Sequence, residues 1–452
     1  MSGLIMAAQL ILGLSILVVL HELGHYLAAR AFGIRVEKFY LFFDAWGFKF
    51  FNFKVGHTEY GMGWLPLGGY VKIAGMIDES MDKEAMKKPP QPYEFRSKPA
   101  WQRLIVMVGG VLMNVILGII IYTCILLFYT KQYLPVESVK DGIYAYPAAR
   151  MIGFQSGDKI LEIDGKKVVR FEDILSTKVL FGSTVTVERN SLKTGIVVPD
   201  TLYKMIAQKK KELFISFENH SFVVDSVLKV FEDYRERLAK KQEIVTPAFK
   251  SGLLKGDEIK YVGQTPVESF GHFRELMQEN IGKTVLFKVS RNNATLELMV
   301  SIDSLGKIGI ASNKPDYKLA DYTVIKAIKY GASDAIETLV ANAKGLAMIF
   351  KGKEKVSESV QGPIGIAKIY GGTWDWRKFW AITGLLSMIL AFMNILPIPA
   401  LDGGHVIFLT IEAITRKKFS DKFMERVQIV GMVIILSLMV LVIGNDIFRL
   451  FK

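Results

Sequence analysis

The chain has 452 residues, of which 50% are hydrophobic and 22% charged, and carries a formal net charge of +13. A mean hydropathy of +0.28 is too high for a single water-soluble core and implies membrane segments. Cations that flank apolar runs speak for a membrane surface and against nucleic acid, and the single cysteine, Cys124, excludes an intramolecular disulfide.

The first long apolar run, Leu4 to Leu20, continues without interruption into VVLHELGHYL, Val18 to Leu27. It lacks a basic leader region and a clear cleavage site, so it reads as a retained spanning helix rather than a signal peptide. Within it, His21 and His25 lie four residues apart and therefore share one helical face, able to offer two imidazole nitrogens to one Zn2+. Glu22 is placed to take a proton from water activated there. A lone histidine pair at a helix end is more often packed or interfacial, but ionisable groups at membrane depth are a functional signal.

The loop that follows carries Arg30, Arg35, Lys38, Lys49 and Lys54. From Phe48 to Ile73, alternating aromatic and polar residues around Gly61, Gly63, Gly68 and Gly69 predict a short β-hairpin. A second span runs from Leu104 to Tyr129. Residues 131 to about 376 then read as water-soluble, with short strand-like runs and an internal repeat. GFQSGDKILEIDGKKV from Gly153 aligns without gaps to GLLKGDEIKYVGQTPV from Gly252, which predicts two small β-rich domains at 131–222 and 223–315. A basic tail, Val198 to Phe214, blurs the end of the first.

Residues 316–376 form a linker in which Val324 to Phe350 has helical spacing of Ile325, Ile328, Ala332, Ile336, Leu339, Ala343, Leu346 and Phe350. This predicts an amphipathic helix on the membrane surface or against the repeat. A third span is expected from about Phe379 to Leu401 and a fourth from Val427 to Gly444. The third ends in NILPIPALDGGHV, where prolines break the helix and backbone at membrane depth needs protein or water around it. Asp402 there is the best third metal ligand, with His405 second; His57, His220 and His272 are the other histidines, the last two in the insert.

Arg416, Lys417, Lys418, Lys422 and Arg426 separate the third and fourth spans. The excess of cations in this loop and in the first one makes both cytoplasmic. Both termini and the insert are then external, with membrane parts at 1–130 and 377–452.

In order, HELGH, EYGMGWLPLGGYVKIAG, GGVLMN, two PDZ-like repeats, QGPIGIAKI and NILPIPALDGGH resemble the site-2 proteases, in their bacterial RseP-type branch, over nearly the whole chain. The resemblance implies a polytopic α-helical membrane protein with four transmembrane helices, a membrane-associated β-hairpin and an inserted pair of PDZ domains. It implies a bacterial inner-membrane location with the active site near the cytoplasmic side. His21, His25 and Asp402 would be zinc ligands, and Glu22 the catalytic acid and base. Asn394 would hold the substrate, and the hairpin with Gly68 and Gly69 would pair with an unwound substrate strand. Span two departs from the family, with Gly109-Gly110 where Gly-Pro is frequent, and keeps Asn114.

The implied activity is zinc-dependent cleavage of single-pass membrane proteins, such as anti-sigma factors or remnant signal peptides, after another protease has trimmed them. Partners would be these substrates, the lipid bilayer and peptide ligands of the PDZ-like domains. The alternative is a membrane-anchored PDZ scaffold with a non-catalytic metal site; a transporter fits less well, because the membrane halves are not repeated.

Overall fold

The computed structural model describes residues 2–66, 68–76, 89–129, 132–203, 206, 213–220, 222–232, 243–312, 315–320, 322–352 and 360–449. The chain forms two compact units, Met1–Tyr129 with Tyr322–Lys452, and Thr130–Asp321.

The first unit opens with helix α1 (Ser2–Ala31), which carries the histidine pair well inside its length. Strands β1 (Val36–Leu41), β2 (Lys49–Val55), β3 (Thr58–Gly63) and β4 (Tyr70–Ile73) follow, and then helix α2 (Ala100–Phe128). The strands make one sheet in the order β2-β3-β1-β4, with β1 parallel to β3 and antiparallel to β4. The expected hairpin is therefore the outer part of a larger sheet. Its two-residue turn at Gly56 and His57 joins β2 to β3, and its Leu67 lies outside the described residues. β1 escapes a pattern reading because VEKFYL does not alternate; it is held instead by burial of Val36 and Tyr40. Val36, Val71 and Ile73 pack with Ala29, Val106 and Met107, which seats the sheet against α1 and α2. β2 is exposed at every position and presents Phe50, Phe51 and Phe53 outward.

The second unit contains the repeat. Its first half pairs β5 (Lys159–Ile163), β6 (Lys166–Lys167), β7 (Ser183–Arg189) and β8 (Leu192–Val198) in the order β8-β7-β5-β6. Its second half pairs β9 (Glu258–Val262), β10 (Thr265–Pro266), β11 (Thr284–Arg291) and β12 (Ala294–Ser301) in the matching order β12-β11-β9-β10, with helix α3 (Phe270–Glu279) beside them. Each has its own core, built in part on Ile160, Val185 and Val187 in one and Ile259, Phe287 and Val289 in the other. The aspartate of the repeated Gly-Asp step explains the motif. Asp158 accepts from Arg189 Nε and Nη2 at 2.7 Å, and Arg189 reaches on to the Gly153 carbonyl at 2.8 Å. Asp257, Arg291 and Gly252 repeat the arrangement at 2.7 to 2.8 Å. Of the basic tail, residues 204–205 and 207–212 lie outside the described residues.

The first unit resumes with α4 (Val324–Phe350), α5 (Pro363–Tyr370), α6 (Trp376–Ile395), α7 (Asp402–Thr415) and α8 (Asp421–Phe448). Helix α4 has the expected bounds but a different packed face. Ala327, Gly331 and Ala335 are buried, with Gly331 against Thr123 of α2, while Ile325, Ile328, Ile336 and Phe350 are exposed. Small side chains allow close approach of helices, so they, and not the large apolar stripe, take the helix–helix contact. The third span also differs: its helix ends at Ile395, and residues 396–401 turn through Pro397 and Pro399 before α7 begins at Asp402. Among the described residues, α1, α2, α6 and α8 are the four helices long and apolar enough to cross a membrane.

Candidate active site

Helix α1 brings His21, Glu22 and His25 against α2 because the two backbones nearly touch. A β-carbon on Gly24 would lie 2.2 Å from the Gly109 carbonyl oxygen, and one on Gly109 2.6 Å from that of Gly24. One residue further on, a β-carbon on Gly110 would lie 2.4 Å from His25 Nε2 and 2.6 Å from His21 Cε1. The glycine pair in span two thus makes the space that the two imidazoles occupy. Helix α7 supplies Asp402 as its first residue, delivered by the turn after α6 in which Ala400 has φ +74°.

These elements bring together three donor atoms. His21 Nε2 and His25 Nε2 stand 3.3 Å apart, and Asp402 Oδ2 lies 3.2 Å from the first and 3.4 Å from the second. Ligands at zinc–nitrogen and zinc–oxygen bond lengths around a tetrahedral ion sit about 3.3 Å apart. Asp402 Oδ2 is buried and accepts no hydrogen bond, a costly state for a carboxylate oxygen without a cation to face. Among the described residues, His21, His25 and Asp402 are the group able to hold a metal ion. The residues fit the ion.

Around this cluster, His25 Nδ1 lies 2.8 Å from the Val106 carbonyl oxygen. A carbonyl only accepts, so Nδ1 carries the hydrogen and Nε2 keeps its lone pair for a metal. His21 Nδ1 lies 3.0 Å from the side-chain amide of Asn114. Asn394, in the last turn of α6, places its amide nitrogen 3.1 Å from His21 Nε2. Glu22 is half-buried one residue from His21. Gly69 borders it: a β-carbon there would lie 2.7 Å from Val18 Cγ1 and 3.6 Å from Glu22 Cγ. Gly68, with φ +150°, leads into this segment beside the Phe43 ring. His405 sits one turn further along α7, outside the cluster, and His57 is exposed at the β2–β3 turn. His220 and His272 belong to the second unit.

Sequence reasoning passed over Val106, and it named Gly110 and Asn114 without the contacts they make. A uniformly apolar run does not say which of its faces meets a neighbour. An asparagine in its middle was the one available signal, because a polar side chain at that depth needs a partner.

Beyond the first spans, the sheet carries a polar network. Glu59 Oε1 accepts from Tyr40 at 2.6 Å, Lys49 at 2.9 Å and Asn52 at 2.8 Å. The Tyr40 hydroxyl and the Lys49 ammonium hold its carboxyl down at about 2. Tyr70 donates to Asp44 at 2.8 Å and its ring stacks on Tyr40 and Phe43, which fixes the strand nearest Glu22.

The chain is similar to known proteins over nearly its whole length. The model of peptidase family M50 matches residues 9–438. The regulator of sigma E protease of Haemophilus influenzae is 29% identical, over 100% of both chains. The regulator of sigma-E protease RseP of Escherichia coli is 26% identical over 98% of each. A Neisseria meningitidis protein named as a candidate zinc metalloprotease is 27% identical, over 97% of this chain and 98% of its own. With the cluster of His21, His25 and Asp402 inside the matched span, the chain belongs to peptidase family M50, the site-2 protease family of membrane metalloproteases.

Proposed function

We propose that the protein is a zinc-dependent intramembrane endopeptidase that cuts single-pass membrane proteins within or beside their transmembrane segment. The observation that carries this reading is the trio of His21, His25 and Asp402 donors at 3.2 to 3.4 Å, with Glu22 beside them inside an apolar helix. Zinc, when bound by these three, supplies Lewis acidity that makes water nucleophilic near neutral pH and polarises a peptide carbonyl.

The remaining chemistry belongs to the chain. Glu22 takes the proton of the attacking water on its carboxylate and hands it to the leaving amide nitrogen. Asn394 directs an amide towards the cluster and would hold the carbonyl side of the scissile bond. A substrate helix hides its peptide bonds, so it must be extended first. β4 is an edge strand, and with Gly68 and Gly69 it runs beside Glu22, so an unwound segment can add to it as a further strand.

The finer assignments follow the same reading. The two repeated β units of the insert act as PDZ-like modules that take a freshly trimmed chain end or exclude bulky clients. The cation-rich loops support an active site towards the cytoplasmic side of a bacterial inner membrane, with the insert and both termini outside. The names of the Haemophilus and Escherichia relatives point to a sigma-E pathway and so to an anti-sigma factor as the class of client.

The test is Glu22→Gln in the full chain, with zinc content and cleavage of a trimmed single-pass substrate measured together. Retained zinc with cleavage lowered about 10²–10⁴-fold is expected; undiminished cleavage would refute the role of Glu22. A protein that binds no zinc at all would favour the scaffold reading.

A further inference from the structure

We propose that Asn114 is a positioning residue that sets the tautomer of His21 by accepting a hydrogen bond from its Nδ1–H. This rests on the zinc reading above and extends it to a residue on a different helix.

Asn114 is fully buried in α2, with its side-chain amide 3.0 Å from His21 Nδ1. Its backbone carbonyl accepts from Ser387 Oγ at 2.7 Å, which ties this point of α2 to α6. As drawn, Nδ2 is the amide atom facing the imidazole. The two ends of a carboxamide are nearly isosteric, so the chemistry of the neighbours decides the orientation.

With Nδ2 donating to Nδ1, the ring hydrogen must sit on Nε2. That hydrogen would point into the cluster and occupy the lone pair that His21 needs as a ligand. Turning the Asn114 amide removes that conflict: Oδ1 accepts from Nδ1–H, and Nε2 carries no ring hydrogen on the side of His25 and Asp402. The far end of the amide, Oδ1 as drawn, has no hydrogen-bond partner and so does not oppose the turn.

The same arrangement holds at the second histidine, where the Val106 carbonyl faces His25 Nδ1 at 2.8 Å. One helix therefore presents one acceptor to each imidazole. Val106 and Asn114 are eight residues apart in the sequence, about two helical turns of α2, while His21 and His25 are one turn apart on α1. A main-chain carbonyl serves His25, and a side chain reaches to serve His21.

The experiment compares Asn114→Asp and Asn114→Leu with the wild type in the full-length protein, reading zinc affinity by chelator competition and cleavage as a function of added zinc. Aspartate keeps an acceptor and loses the donor; leucine keeps bulk and loses both. Zinc affinity within a few-fold of wild type is expected for N114D. For N114L a roughly 10–100-fold loss is expected, with cleavage restored by excess zinc. N114D weakened as much as N114L, or N114L binding like the wild type, would overturn the proposal. If N114L does not fold, N114D alone decides: near-native affinity supports it, and a loss of tenfold or more refutes it. Wild-type protein that holds no zinc would instead refute the underlying zinc reading.

Discussion

At the scale of single residues, the site is a problem of fitting two imidazoles between helices. Gly110 leaves 2.4 Å between a hypothetical β-carbon and His25 Nε2, so Gly110→Ala pushes on the donor atom itself. Overpacking of this kind costs about 1–3 kcal/mol. Taken up by the metal site, it is expected to weaken zinc binding roughly five- to a hundredfold; chelator competition measures it, and unchanged affinity would show that α2 yields. Asp402→Asn removes the charge that faces the two imidazoles and is expected to abolish stoichiometric zinc, read by metal analysis of the purified protein. His21, Glu22, His25 and Asp402 were legible because their spacing and membrane depth are written in the chain. Gly110 and Asn114 were not, since their importance lies in which face of α2 turns towards α1.

Elements show a different division. Helix α2 begins beside Arg103 and α7 ends near Glu412, and these two form a buried ion pair that joins them. Removing one partner of a buried pair strands the other, at about 3–5 kcal/mol, whereas replacing both by apolar residues is often neutral. Glu412→Leu is therefore expected to lower stability in detergent by that amount, and Arg103→Met with Glu412→Leu to recover most of it. A double-mutant cycle of denaturation checks this, and additive losses would refute it.

The sheet makes a pH prediction. Glu59, held at about 2 against an ordinary 4.5, stabilises the sheet fully above about 4.5. That contribution fades as the pH falls towards 2, because the unfolded chain takes up the proton first. Trp46 stacks on Trp64 in this region, so tryptophan fluorescence should report the acid loosening, and Glu59→Gln should flatten it. The hairpin was visible in its alternating aromatic and polar residues, whereas Gly61 and Gly63, named with it, lie within β3 and the turn falls at Gly56 and His57. β1 and the packed face of α4 depended on partners distant in sequence, which local pattern does not encode.

Over the whole molecule, the candidate metal cluster lies in one unit, and none of the described residues of 130–321 belongs to it. A chain in which those residues are replaced by a flexible linker is expected to keep one equivalent of zinc. If the insert excludes bulky clients as proposed, this variant is also expected to cut substrates whose outer domain has not been trimmed, and the intact protein to spare them. Loss of zinc in that variant would show that the insert supports the site. The repeat could be read from Gly153 and Gly252 onward because a turn and its aspartate are local. Its strand order and the Arg189 and Arg291 partners were not, since they arrive some thirty residues later.

The ligand set also has an order in time. His21 and His25 emerge early in synthesis, while Asp402 follows after the second span, the whole insert and the third span. A growing chain therefore holds the glutamate and two imidazoles for most of its synthesis without the third donor. On the proposed function hydrolysis waits for helix α7 to dock, and a chain truncated before Asp402 is expected to cut none of the proteins inserted beside it.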